Sequence, residues 1–361
     1  MNLLVLGDAA SVHLRRMVRP FAEAGHRVIV AGFAPGEIPG ATVVALPAGG
    51  RGLPLLRFAR KARRLRRIIV EERIDLVHAH AITVYGLLAL ACGSVPKVLT
   101  VHGSDVLLAR EKLWNRAVIR WVSRRVDRIT SPAAHVTDAF TQLGAFPDRI
   151  DTFQYGVDLH RFHPAEATGP RAGAPLRVIS TRALAPLYQV DLLLMALSRV
   201  ACRTPLRATI AGGGPEAERL ERLAWSLGLE QDVRFAGVLG EEEVAAALRE
   251  ADVYVSTAPT DGASLGLLEA MATGLLPVVA DIPANREWVR QGENGLLFAP
   301  GSPDALAEAM LAAGHDRALC EKARARNPEI IRERSCFDAG IKRISGIYEV
   351  LLRKNPKGGR S

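Results

Sequence analysis

Asp261-Gly-Ala-Ser-Leu-Gly-Leu-Leu-Glu269-Ala-Met-Ala-Thr-Gly-Leu-Leu-Pro277 is the stretch from which the fold can be read. An apolar run, Val253–Ser256, ends just before it, and another, Pro277–Ala280, follows it. A loop carrying an acid and two glycines therefore leads into a helix beginning near Leu265, and that helix leads into a further strand. The exposed N–H groups at such a helix start favour a phosphate or diphosphate, and Gly262 and Gly266 allow close backbone approach. Glu269 lies about one turn further in, where a carboxylate can accept both hydroxyls of a ribose. Spacing alone fits an ordinary capped helix with a solvated Glu269 equally well.

The same alternation runs outward in both directions. Leu3–Leu6, Val28–Val30, Leu76–His78, Val98–Val101 and Arg128–Ser131 read as strands, with helices near 14–24, 53–71, 83–92 and 110–125. A Pro-, Gly- and Ala-rich stretch, PAEATGPRAGAP, starts at Pro164 and reads as a linker. Beyond it the alternation restarts with Leu176–Ser180 and Ala208–Ala211. The chain ends in helices over 305–314, 317–326 and 338–352 and a polar tail. Strands alternating with helices predict an α/β fold of two doubly wound, mostly parallel sheets. The predicted division is residues 1–165, residues 166–337, and a terminal helix and tail, 338–361, that can cross back to the first domain. Ligands of such sheets bind beyond the carboxyl ends of the strands, so the cleft between two such domains is the expected site.

The chain has 361 residues and a formal charge of +9. Residues 1–165 hold 23 Lys and Arg against 13 Asp and Glu, a net of +10, and the remainder holds 24 against 25, a net of −1. A one-sided basic excess suits nucleic acid, an anionic membrane or a phosphorylated substrate. Aromatic residues make up only 5%, too few for base-stacking platforms. No apolar run approaches the ~18 residues that span a bilayer. The opening Met1-Asn-Leu-Leu-Val-Leu-Gly7 reads as a buried strand rather than a signal peptide. Cys92, Cys202, Cys320 and Cys336 form no C-x-x-C pair, which fits reduced cytoplasmic thiols and no metal cage.

Read whole, the segment from Asp261 to Pro277 resembles the signature of retaining GT-B glycosyltransferases of family 4: an acid, seven residues, then Glu, running into EAM-A-x-G-x-P-V-V. The likeness continues through Asp281-Ile-Pro-Ala-Asn-Arg-Glu-Trp288 and Asn294-Gly-Leu-Leu-Phe298. The resemblance implies two Rossmann-like domains facing across a cleft, with a nucleotide sugar as donor. It implies that Glu269 binds the ribose and Asp261 sits by the donor sugar. The amides of Ser264, Leu265, Gly266 and Leu267 would face sugar and phosphate. The family's usual first acid is Glu, one methylene longer than Asp261.

Arg182, in Ser180-Thr-Arg-Ala-Leu-Ala-Pro-Leu-Tyr188, matches the family's diphosphate-binding Arg, a role suited to its fork of donors. Tyr188 stands where a Lys usually follows. Gly213, in Gly212-Gly-Gly-Pro-Glu216, matches an element near the nucleotide, and Phe235 lies in the segment that passes the base. His102, in Thr100-Val-His-Gly-Ser-Asp105, resembles a donor-sugar histidine, with Asp105 alternatively a cap. His78 and His80 suggest a metal pair, but they are read as pointing to opposite faces of their strand, and the family is typically metal-independent, so neither metal nor cofactor is expected. The loop Gly7-Asp-Ala-Ala-Ser-Val-His13-Leu-Arg-Arg16 lacks the Gly-Gly pair of many relatives. Gly7, His13 and Arg16 are candidate acceptor contacts.

Residues 57–67 carry seven cations and no acid, with Leu55, Phe58, Ala59, Ala62, Leu65 and Ile69 forming a core stripe opposite them. A second basic helix, 110–128, carries Arg110, Lys112, Arg116, Arg120, Arg124, Arg125 and Arg128 beside Trp114 and Trp121. Both suit an anionic membrane surface, which would place the protein on the inner face of the plasma membrane. The expected activity is retaining hexosyl transfer from a UDP- or GDP-linked sugar to a lipid-linked or membrane-associated acceptor in cell-envelope glycan synthesis. The alternatives are a GT-B-type UDP-sugar epimerase and a non-catalytic nucleic-acid-binding protein, the latter disfavoured because no recognised nucleic-acid module accompanies the charge.

Overall fold

The computed structural model describes residues 1–34, 36–47, 53–107, 113–165 and 174–355. The chain divides into two compact units, Met1–Tyr155 with Ala339–Ser361, and Gly156–Asp338.

The first unit contains β1 (Asn2–Leu6), α1 (Val12–Glu23), β2 (Arg27–Gly32), β3 (Ala41–Ala45), α2 (Pro54–Glu71), β4 (Leu76–His80), α3 (Val84–Leu90) and β5 (Lys97–Thr100). It continues with α4 (Ser104–Leu107), α5 (Leu113–Ser123), β6 (Arg128–Ser131), α6 (Ala134–Gln142) and β7 (Ile150–Thr152). The sheet is parallel in the order β3-β2-β1-β4-β5-β6-β7. Helices cover both faces, so the central strands are apolar on both sides. On one face Leu4, Leu6, Val77 and Leu99 meet Leu65 of α2 and Ile119 and Val122 of α5.

The second unit contains β8 (Leu176–Ser180), α7 (Val190–Ala201), β9 (Leu206–Ala211), α8 (Ala217–Ser226), β10 (Val233–Gly237), α9 (Glu241–Glu250) and β11 (Val253–Ser256). After these come α10 (Leu265–Ala272), β12 (Leu276–Ala280), α11 (Pro283–Arg286), β13 (Leu296–Phe298), α12 (Pro303–His315) and α13 (Arg317–Arg334). Its sheet is parallel in the order β10-β9-β8-β11-β12-β13. The last helix, α14 (Phe337–Lys354), buries Ile344, Ile347, Tyr348 and Leu351 against Leu3, Val5, Met17 and Phe21 on the other face of the first sheet.

The unit boundary differs from the predicted 165/166. Residues 156–165 belong with the second unit because Val157 N donates to Ser335 O at 2.8 Å and Phe337 N donates to Val157 O at 3.0 Å. Val157 and Phe162 are also fully buried with Tyr254 and Leu267. A composition shift marks a polar segment, not the point at which packing changes partner. Most of the PAEATGPRAGAP stretch lies outside the described residues. The short strands β3, β7 and β13 went unanticipated, each having at most five residues and little periodicity.

Candidate active site

In the second sheet the strand order reverses direction between β8 and β11, the point beyond which ligands of doubly wound sheets bind. The two loops leaving these strands bring together residues about 80 positions apart. Arg182, after β8, donates from Nη1 to Ser264 Oγ at 2.6 Å and from Nη2 to Asp261 Oδ2 at 2.7 Å. Arg182 is 9% exposed, and its Nε is buried without a hydrogen-bond partner. Burial opposes the guanidinium charge, but Asp261, Tyr254 and Tyr188 together outweigh it and raise the Arg182 pKa above its ordinary value. The cation is therefore firmly charged, with its buried Nε–H unused.

Tyr188 ends a 3-10 turn, Pro186–Tyr188, and its ring lies 4.3 Å from the Arg182 guanidinium. In place of a second cation, the chain puts an aromatic face against the first. The turn is anchored by Thr257 Oγ1, which donates to the carbonyls of Tyr188 and Gln189 at 2.7 and 2.9 Å.

Ser264 caps α10, and Leu267 N donates to Ser264 Oγ at 3.3 Å. The amides of Leu265 and Gly266 precede it, where helical N–H groups have no intrahelical acceptor. Gly266 is required there, since a Cβ would lie 2.5 Å from Thr181 Oγ1 and 2.8 Å from the Tyr254 hydroxyl. Glu269 lies on α10 and is 5% exposed, which removes the reading of it as a solvated surface carboxylate.

Gly213 accepts a hydrogen bond from Leu184 N at 2.9 Å. Its neighbour Gly214 has φ +156°, and a Cβ there would lie 2.3 Å from Leu184 O. The glycine turn thus packs against the backbone just past Arg182. Phe235 of β10 is half-buried against the core of the second unit, its strand paired with β9. Thr181, Tyr254 and Leu184 were not singled out from sequence, because they act by packing behind the site and belong to no motif.

In the first unit the corresponding reversal lies between β1 and β4. Gly7 follows β1, where a Cβ would lie 2.3 Å from Leu14 Cδ1 and 3.3 Å from His80 Cβ, so internal packing already demands this glycine. Asp8 accepts from Phe33 N and Ala34 N, each at 2.8 Å, and from the Tyr85 hydroxyl. Burial works to raise its pKa, yet the Tyr85 hydroxyl and the two amides outweigh this and lower it. His13 is exposed, with its ring 5.7 Å from that of His102, and Arg16 is half-buried.

His102 Nε2 lies 3.2 Å from His80 Nδ1. Asp105 caps this turn, accepting from His102 N and Ile82 N at 2.9 Å each. His78 Nδ1 lies 2.5 Å from the Tyr348 hydroxyl, and His78 Nε2 lies 2.7 Å from Thr100 Oγ1. The rings of His78 and His80 are 4.6 Å apart, so the expectation of opposite faces is wrong. Residues two apart in a strand share a face, and on that face His78 reaches Tyr348 of α14 while His80 reaches His102. Among the described residues no group of three or more His, Cys, Asp or Glu side chains is arranged to hold a metal ion.

The basic helices also depart from expectation. In α2 only Ala62, Leu65 and Ile68 are buried, whereas Leu55 is 77% and Phe58 37% exposed. With Leu53 and Leu56 they form an exposed apolar first turn leading to the exposed Arg60, Arg63 and Arg64. Lys61 Nζ lies 4.8 Å from the Phe33 ring. On α5, Trp114, Arg116, Arg120 and Trp121 are exposed, as are Arg124 and Arg125 in the turn after it. Arg110 and Lys112 lie outside the described residues, and Arg128 opens β6 instead of extending the helix. Among the described residues no helix is long and apolar enough to cross a membrane.

Residues 167–329 match the family model for Glycosyl transferases group 1, and residues 10–161 match that for Glycosyltransferase Family 4. The chain is 30% identical over 338 residues to a phosphatidyl-myo-inositol mannosyltransferase of Mycobacterium leprae, covering 88% of each chain. It is 28% identical over 275 residues to a GDP-mannose-dependent alpha-(1-6)-phosphatidylinositol monomannoside mannosyltransferase of Mycobacterium tuberculosis, covering 71% of each. Among solved structures, sucrose-phosphate synthase from Thermosynechococcus elongatus superposes with a TM-score of 0.84 at 16% identity, covering 98% of this chain and 100% of that one.

Proposed function

The chain belongs to glycosyltransferase family 4, and from that premise we propose that it transfers a hexosyl group from a nucleotide sugar to a lipid-linked acceptor, with retention at the anomeric carbon. The observation that carries this reading is the buried Arg182, charged, fixed by Ser264 and Asp261, and holding an unused Nε–H beside the start of α10. The resemblance of the two relatives puts GDP-mannose first among donors and a phosphatidylinositol-type lipid first among acceptors, with UDP-linked hexoses next.

On this reading Arg182 and the amides of Leu265 and Gly266 receive the diphosphate, and Glu269 receives the ribose. The bond from the anomeric carbon to the phosphate oxygen breaks as the bond to the acceptor oxygen forms on the same face. The acceptor's proton passes to the departing phosphate oxygen, so no separate base is needed. Protein catalysis is then orientation together with charge stabilisation that grows as the diphosphate leaves. Asp261 and His102 orient the sugar, and Gly7, His13 and Arg16 lie on the acceptor side. Metal independence is part of the proposal, and turnover undiminished by EDTA is its check.

The exposed Leu53, Leu55, Leu56 and Phe58, followed by cations, support docking of α2 on an anionic membrane, at about 1 kcal/mol per nearby cation. This surface belongs to the unit with the basic excess and would keep the enzyme at the cytoplasmic face of the membrane that carries its acceptor.

The test is a panel of nucleotide sugars scored by thermal stabilisation and by transfer to phosphatidylinositol in anionic vesicles. One donor should both stabilise the protein and be consumed. A panel in which no donor does either removes the reading.

A further inference from the structure

His80 closes β4, and its register partner Thr100 on β5 stands two residues before His102. The His80 ring is buried, with Nδ1 3.2 Å from His102 Nε2. It also lies against His78, whose two nitrogens are engaged by the Tyr348 hydroxyl and Thr100 Oγ1. His102 is thus held at its backbone by Asp105 and at its ring by His80.

Both rings of the pair are neutral near pH 7. Burial drives His80 well below its ordinary value, reinforced by His78, His102 and His13, and burial drives His102 down to about 4. Each ring therefore carries one proton, and only one nitrogen can donate across the contact. The other His80 nitrogen, Nε2, is buried without a hydrogen-bond partner. A proton kept on Nε2 would leave a buried N–H unpaired, which is a rarer defect in protein interiors than an unused acceptor.

We propose that His80 is a positioning residue that donates from Nδ1 to His102 Nε2 and so fixes His102 with its proton on Nδ1. The proposal rests on the reading of His102 as a contact to the donor sugar. The Nδ1 of His102, which has no partner among the described residues, then offers an N–H to a sugar hydroxyl oxygen. The opposite tautomer would present only a lone pair there. Fixing one tautomer in the free enzyme removes that choice from the binding step.

The experiment is a long-range 15N–1H correlation spectrum of the free, histidine-labelled protein, with His102 assigned by its absence in His102→Gln. Wild type should show a protonated Nδ1 and a bare Nε2. His80→Asn, whose amide N–H replaces the Nδ1 donor, should keep that pattern. His80→Leu should transfer population to the Nε2–H form and raise donor KM roughly tenfold, the worth of one well-placed hydrogen bond, with little change in kcat. A wild-type His102 protonated on Nε2, or Asn and Leu variants with the same tautomer populations, overturns the proposal. These spectra need no donor, so they judge the tautomer separately from the activity. Transfer with the wrong tautomer sinks the proposal alone, while the right tautomer with no transfer sinks the transferase reading alone.

Discussion

Arg182 sits where two opposing demands meet. Burying a guanidinium is unfavourable unless it is paired, and Asp261 and Ser264 supply the pairing without using all of its donors. Replacing it by Ala should lower kcat by roughly 10²–10³, as losing a preorganised charge-stabilising donor does. Steady-state turnover of the preferred donor measures this, and near-normal turnover would take Arg182 out of the site. Glu269→Ala should instead weaken nucleotide affinity by about tenfold or more in calorimetry, with no comparable loss of fold. The histidines make a different prediction. His78 is pushed down to about 3 and His102 to about 4, in both cases by burial, from an ordinary 6.5. A folded value below the unfolded one means that protonation favours the unfolded chain. Their contribution is therefore complete above about pH 6.5 and is lost as pH falls toward 4 and then 3, at about 1.4 kcal/mol per pH unit for each group. Urea unfolding from pH 7.5 to 4.5 should show this slope, and His102→Gln should flatten it.

At the scale of elements, the loops after β8 and β11 were each legible as motifs, but their contact was not. Nothing in the spacing from Arg182 to Asp261 says that the two side chains meet; the reversal of strand order between β8 and β11 does. Glycine at 266 reads from sequence as permissive, and the structure gives the reason, a Cβ 2.5 Å from Thr181 Oγ1. Gly266→Ala should shift the start of α10 and destabilise the fold by about 1–3 kcal/mol, read by denaturation midpoints. The basic helix α2 was legible in charge but misjudged in its apolar residues. Helical periodicity placed Leu55 and Phe58 in the core stripe, yet burial in α2 begins only at Ala62, so the first turns project past the body of the unit. Neutralising Arg60, Lys61, Arg63 and Arg64 together should reduce sedimentation with anionic vesicles and leave that with neutral vesicles unchanged. Equal binding by the variant would return α2 to an ordinary solvated face.

For the whole molecule, two α/β units were readable from strand–helix alternation, because apolar runs bounded by amphipathic segments leave few other packings. Their boundary was not readable, since it is set by the pairing of Val157 with the chain at Ser335–Phe337, contacts distant in sequence. The terminal helix belongs to the first unit through Ile344, Ile347, Tyr348 and Leu351, and Tyr348 reaches the buried His78. The basic half of the chain and the Arg182 site therefore lie in different units. On the proposed function, the second unit would hold the nucleotide of the donor and the basic unit would meet a membrane-held acceptor. The most direct test is a transfer reaction with GDP-mannose labelled at the anomeric carbon and phosphatidylinositol in anionic vesicles, read by NMR of the product. The account predicts an Arg182-dependent glycolipid with the anomeric configuration of the donor. An inverted product, or transfer that persists undiminished in Arg182→Ala, contradicts it.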